Sequence, residues 1–323
     1  MSCTLTGRWS RQEASFPGIG SQTSGSDEGH SVETAGFDTV DAVLAALQER
    51  NYIADRGLGM AVHLALRLGR PLLLEGDAGV GKTEMAKVLA DLRGVPLIRL
   101  QCYEGIDASQ ALYEWDYPRQ LLHLRMVEAS AHAGEPVAPD LYTEQFLLER
   151  PLLKAIRAGS RGVLLIDEID RADDEFEAFL LEILADFQVS IPEFGTVAAE
   201  EPPVVILTSN RTREIHEALR RRCLYYWIEH PSVDRLRRII RMRAPEVDAQ
   251  LTRRVAETVA RLRAMDLFKP PAVAESIEWA RALDLLGVDD IDLATAQDTL
   301  TTIVKEREDV VRVRSALRDV LGA

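Results

Sequence analysis

The chain has 323 residues, 46% of them hydrophobic, and a formal net charge of −14. Its length suits one α/β core with a smaller second domain, and its acidic balance argues against a non-specific nucleic-acid binder, while leaving room for a local basic patch. Three scattered cysteines (Cys3, Cys102 and Cys223) exclude a disulfide framework and fit a reducing, cytoplasmic compartment; no apolar run approaches the length of a bilayer span.

Residues 1–36 are rich in Ser, Gly and Thr and are expected to be a disordered tail. From Phe37 the pattern changes: Val40, Val43, Leu44 and Leu47 recur at helical spacing, and a second helix is expected over Leu58–Leu68. Tyr52 and Ile53 lie between these helices, ahead of the glycine-rich stretch that follows. They are candidates to flank a nucleotide base, with ordinary core packing an equal alternative.

The stretch Pro71–Thr83, PLLLEGDAGVGKT, satisfies G-x-x-x-x-G-K-[ST] after a short apolar strand and before an apolar-periodic helix. Gly76, Asp77, Ala78, Gly79, Val80 and Gly81 are expected to wrap their N–H groups around a phosphate, aided by the positive end of the helix that begins near Lys82. Lys82 is expected to reach the β- and γ-phosphates, and the Thr83 hydroxyl to ligate Mg²⁺.

A second strand is expected over Val95–Leu100, then a long helix-prone insertion over 107–133 carrying Tyr113, Trp115 and Tyr117, a loop over 132–140, and a helix over Pro151–Ala158. The run GVLLIDEIDR (162–171) reads as a central parallel strand with Asp167 and Glu168 at its carboxyl end, where open α/β sheets bind ligands. Asp167 is the candidate for holding Mg²⁺ and Glu168 for polarising an attacking water. A helix over Asp173–Asp186 and a hairpin over Val189–Val197 come next. The strand Val204–Leu207 then ends in Thr208-Ser209-Asn210, and Asn210 is placed to orient the water or touch the γ-phosphate; a plain turn is the competing reading. ALRRRC (218–223) sets arginines at the end of a short helix, either a solvated end or a finger offered to a neighbouring subunit's nucleotide. After a last strand at Leu224–Ile228, Pro231 marks a boundary and the rest reads as helices: 233–243, 246–265, 271–286, 292–304 and 307–321. The basic helix 233–243 is read as a solvated face or a subunit contact.

The order of these parts resembles the AAA+ ATPases. QCYEGIDASQALYEWDYPRQLL (101–122), LTSNRTREIHEALRRRCLYYWIEHP (207–231) and KPPAVAESIEWARAL (269–283) are similar to the MoxR branch, closest to its CoxD-like members. The resemblance implies a P-loop NTPase parallel-sheet core over 37–230 and a smaller all-helical lid over 231–323. It also implies ATP and Mg²⁺ as cofactors and a hexameric ring. By the family's motifs Lys82 and Thr83 are Walker A, Asp167 and Glu168 Walker B, Asn210 sensor 1, and Arg222 the finger, with Arg221 next. The sensor 2 arginine of many relatives is replaced by Lys269-Pro270-Pro271-Ala272, leaving Lys269 or Arg281 as substitutes. The implied role is a chaperone that matures a client metalloenzyme, a molybdenum hydroxylase such as carbon monoxide dehydrogenase, with a von Willebrand factor A domain partner. A nucleotide-gated assembly scaffold and a nucleic-acid remodeller remain the alternatives.

Overall fold

The computed structural model describes residues 37–130 and 140–322. The tail expected over 1–36 and all but the end of the loop expected over 132–140 lie outside them.

Helices α1 (Val40–Glu49) and α2 (Arg56–Leu68) start at the Thr39 and Asp55 side chains, which accept hydrogen bonds from Ala42 N and Leu58 N. They lead into β1 (Leu72–Glu75), α3 (Lys82–Arg93) and β2 (Leu97–Gln101). The region expected as a long helix-prone insertion is divided into α4 (Ala108–Ala111), β3 (Tyr113–Trp115) and α5 (Tyr117–Ser130). The aromatic character that favours a strand won locally, because β3 has a partner: it pairs antiparallel with β4 (Leu147–Glu149), which periodicity did not reveal. Trp115 is buried with its ring 5.3 Å from that of Tyr142, whereas Tyr117 is exposed.

The chain continues through α6 (Pro151–Ala158), β5 (Val163–Asp167), α7 (Asp174–Asp186), the hairpin β6 (Gln188–Ile191) and β7 (Gly195–Ala198), β8 (Val204–Ser209), α8 (Glu217–Arg222) and β9 (Leu224–Trp227). The main sheet is parallel in the order β2-β5-β8-β1-β9. Its apolar strands read as unbroken runs because both faces are covered. Leu73, Leu164, Ile166, Val205 and Leu207 join one core, while Leu72, Leu74, Val163, Leu165 and Ile206 join the other.

After β9 the chain is helical: α9 (Val233–Arg243), α10 (Ala249–Arg263), α11 (Val273–Leu285), α12 (Leu293–Ile303), α13 (Arg307–Ser315) and α14 (Leu317–Leu321). The last expected helix is interrupted at Ala316, which sits at φ −108°, ψ 11°. These helices enclose their own core around Trp279, whose indole N–H donates to Thr299 Oγ1 at 2.9 Å. The expected class is therefore present, a parallel α/β sheet that carries a glycine-rich loop followed by a helical C-terminal region.

Candidate active site

The glycine-rich turn leaves the carboxyl end of β1 and delivers the chain to α3. Two of its glycines are dictated by close approach. A Cβ on Gly76 would lie 2.4 Å from the Ile228 carbonyl oxygen, and one on Gly79 would lie 2.4 Å from Ala272 Cβ. Both also have positive φ, +152° and +75°. Lys82 is 6% exposed, and its ammonium donates to the Gly76 and Asp77 carbonyls at 2.6 and 2.7 Å. Burial holds its pKa below the usual lysine value, although Asp170, Asp77, Asp167 and Glu168 pull the other way.

Asp167 ends β5 and is buried. Its Oδ1 accepts from Thr83 Oγ1 at 3.0 Å and Thr208 Oγ1 at 2.6 Å. Its Oδ2 accepts from Arg99 Nε and Nη2 at 3.0 and 2.6 Å. Glu168 adopts a left-handed backbone, φ 55° and ψ 51°, which costs a residue with a Cβ about 1–2 kcal/mol. That strain is held by its N–H, which donates to Thr208 Oγ1 at 2.9 Å. Glu168 Oε2 then accepts from Gln101 Nε2 at 3.1 Å and Arg171 Nη1 at 3.2 Å. Asn210, just past β8, lines the same cleft as Gly79, Gly81, Lys82, Thr83, Asp167 and Glu168. The Thr83 hydroxyl and the Asp167 carboxylate are adjacent hard oxygen donors, the chemistry that Mg²⁺ takes.

A second, largely apolar cleft adjoins this one, and Gly81 and Glu84 line both. Tyr52, Ile53 and Val80 form its wall on one side, Val273 and Ile277 on the other. The Tyr52 hydroxyl donates to the Gly81 carbonyl at 3.3 Å, and burial pushes its pKa up, so it is a neutral phenol. Arg235 of α9 corrects the reading of that helix as only a solvated or subunit-facing surface. It turns inward to donate to the Ile53 carbonyl at 2.8 Å and to Asp55 Oδ2 at 2.9 Å. Asp55 also accepts from the Tyr226 hydroxyl at 2.5 Å, so the Tyr52–Ile53 loop is pinned by α2, β9 and α9 together.

Other candidates are kept apart from the phosphate loop. Arg221 and Arg222 close α8 immediately before β9, whose first residue Leu224 is in register with Leu72 at the start of β1. They therefore sit at the amino edge of the sheet, while the loop leaves the carboxyl edge. Arg70 holds them there through the Arg221 and Arg222 carbonyls at 2.7 and 2.9 Å. Arg221 is paired with Glu217, and Arg222 is exposed. Lys269 is exposed, and Arg281 is engaged by Glu246 at 2.9 Å and the Arg243 carbonyl at 2.5 Å; neither lines the cleft.

Residues that the sequence did not single out surround the loop. His230 Nε2 lies 3.0 Å from Asp77 Oδ2, and desolvation, then Arg263, push its pKa below the usual histidine value. Burial lowers Arg263 to about 10, and its Nη2 and Glu275 Oε2 are buried without partners beside this seam. Arg99, Gln101 and Thr208 could have been sought as polar residues on strands otherwise apolar; His230, Arg263 and Glu275 carried no local signal.

Residues 71–223 match the family "AAA domain (dynein-related subfamily)", a span that runs from the strand before the loop to the end of the arginine helix. An uncharacterized protein of Staphylococcus epidermidis is 25% identical over 253 residues, 75% of this chain and 88% of that protein. One of Staphylococcus aureus is 25% identical over 252 residues, 75% and 87% of the two chains. Among solved structures, a point variant of Thermotoga maritima RuvB aligns with a TM-score of 0.46 and 19% identity, covering 81% of this chain and 70% of that one. The Thermotoga maritima RuvB Holliday junction branch migration motor aligns at 0.43 and 20%, covering 78% and 68%. Among the described residues, no helix is long and apolar enough to cross a membrane.

Proposed function

We propose that this chain is a Mg²⁺-dependent ATPase of the AAA+ type. The observation that carries this is a single cleft at the carboxyl edge of a parallel sheet lined by Lys82, Thr83, Asp167, Glu168 and Asn210. Glycines shape the loop beside it, and an apolar slot opens next to it. Loop N–H groups and Lys82 hold the phosphates, and the slot between Tyr52–Ile53 and α11 takes the base. Thr83 and Asp167 would hold Mg²⁺, which supplies charge neutralisation when bound. Glu168 polarises the attacking water and Asn210 orients it. For ATP to be cleaved, Lys82 exchanges its carbonyl partners for phosphate oxygens, a favourable trade for a buried ammonium.

Arg222, with Arg221 beside it, serves a second copy. Neither can approach the phosphate loop of its own chain from the opposite edge of the sheet, so their exposed position favours a homo-oligomer in which catalysis is shared. Residues 37–230 act as the core and 231–323 as a lid. The finer reading rests on resemblance: a MoxR-branch, CoxD-like hexamer that works with a von Willebrand factor A domain protein to mature a metalloenzyme client.

The test is steady-state ATPase activity across protein concentration, for wild type and Arg222→Ala. Specific activity is expected to rise with concentration and to fall at least about 10²-fold in the variant with ATP binding retained. Activity flat in concentration and indifferent to the substitution would remove the shared site. Turnover stimulated by DNA in a salt-sensitive way would instead point to nucleic-acid remodelling.

A further inference from the structure

Arg99 belongs to no motif, yet its guanidinium occupies one oxygen of the carboxylate assigned to the metal. It projects from β2 on the face covered by α3. Its backbone is in register with Leu165, so its side chain runs forward along the sheet to Asp167 two residues on. There Nε and Nη2 both donate to Oδ2, at 3.0 and 2.6 Å, while Oδ1 is left to the Thr83 and Thr208 hydroxyls. Asp167 is 4% exposed at its side chain and Arg99 is 52% exposed. The pair is thus a buried anion capped by a cation with open space on its outer side. Nη2 also donates to Gln101 Oε1, and Gln101 Nε2 passes the contact on to Glu168.

We propose that Arg99 is a positioning residue that opposes divalent cation binding at Asp167 and so sets how tightly the chain takes metal before nucleotide arrives. The physical reason is direct. A two-pronged charge-assisted contact already satisfies the carboxylate, and a divalent cation arriving beside it meets a fixed positive charge within a few ångströms. Without phosphates to add negative charge, the metal's attraction to Asp167 is offset by the arginine already paired with it, and the neighbouring carboxylates are shared with Lys82. When the cation does bind, the half-exposed arginine has solvent to retreat into, and its release frees Gln101 Oε1. The partner that holds Glu168 then changes its own hydrogen bonding as the metal site fills. Arg99 therefore joins the occupancy of Asp167 to the setting of Glu168 through one intervening amide.

This inference rests on the nucleotide and metal reading above, and the experiment separates the two. Mn²⁺ is titrated into the full chain and free Mn²⁺ is followed by electron paramagnetic resonance, with and without ADP, for wild type, Arg99→Gln and Arg99→Lys. Wild type is expected to bind Mn²⁺ weakly alone and much more tightly with ADP. Arg99→Gln is expected to bind Mn²⁺ without nucleotide about tenfold more tightly than wild type, the scale of one charge-assisted hydrogen bond. Arg99→Lys, which keeps the charge and loses the fork, is expected to fall between them. Equal or weaker nucleotide-free Mn²⁺ affinity in Arg99→Gln, with ADP-dependent binding intact, overturns the role of Arg99 and leaves the site reading standing. Mn²⁺ binding that no variant enhances and ADP does not promote overturns both. Should Arg99→Gln fail to fold by circular dichroism, Arg99→Lys alone decides, with tighter binding expected and unchanged affinity overturning the proposal.

Discussion

The two edges of the parallel sheet are built from the same strands and do opposite things with charge. At the carboxyl edge the charged groups that line the cleft floor are engaged: Lys82 by two carbonyls, Asp167 by two hydroxyls and Arg99, Glu168 by Gln101 and Arg171. At the amino edge Arg70 spends its guanidinium on backbone carbonyls, and in doing so presents the Arg221 and Arg222 side chains outward. The proposed ligand-holding groups are buried or half-buried and preorganised, whereas the proposed finger is carried on a helix end and left exposed. On the function proposed above, one copy of this chain would contain the parts of an active site without containing the assembled site.

The strongest test of the carboxyl edge is Glu168→Gln, expected to lower ATP turnover by about 10³-fold with nucleotide affinity retained, measured by steady-state hydrolysis and equilibrium binding. The amino edge is tested by Arg222→Ala, expected to lose at least about 10²-fold. The comparison becomes sharp when these two inactive proteins are mixed. Copies carrying Arg222 then face copies carrying Glu168, and part of the activity is expected to return. No recovery on mixing would break the idea that the edges complete one another. Arg70→Ala is expected to cost less, roughly tenfold, because it loosens the finger's mounting without removing the finger.

The smallest expected effect lies at the seam between loop and helical region. His230 is held below its ordinary value, near 6.5, by burial and by Arg263. Above that value both the folded and unfolded chains carry it neutral, and stability is complete. As pH falls from there through the lower folded value, the unfolded chain takes up the proton first and stability is lost. Thermal unfolding between about pH 7.5 and about pH 5 is expected to show a shallower decline for His230→Gln than for wild type. An identical slope would show that His230 does not govern this interval.

Much of this protein was legible in one dimension, and the reason is that phosphate loops and buried parallel strands are local in sequence. PLLLEGDAGVGKT specified a strand, a loop and a helix start in consecutive residues, and GVLLIDEIDR specified a central strand and its acidic tip. The hairpin and the order of the C-terminal helices followed from turn residues and periodicity for the same reason, apart from the break at Ala316. Only the tertiary structure decided what depends on distant chain segments meeting. The strand at Tyr113–Trp115 exists because Leu147–Glu149 lies beside it, and Arg235 is a loop clamp rather than a solvated charge because Asp55 and Ile53 come to it. Arg99 reaches Asp167, and Thr208 bridges it to Glu168, because parallel strands set side chains from remote positions on one face. The sequence by itself determined which chemical groups this chain carries; the packing of the sheet decided which of them share the carboxyl edge and which stand exposed at the amino edge.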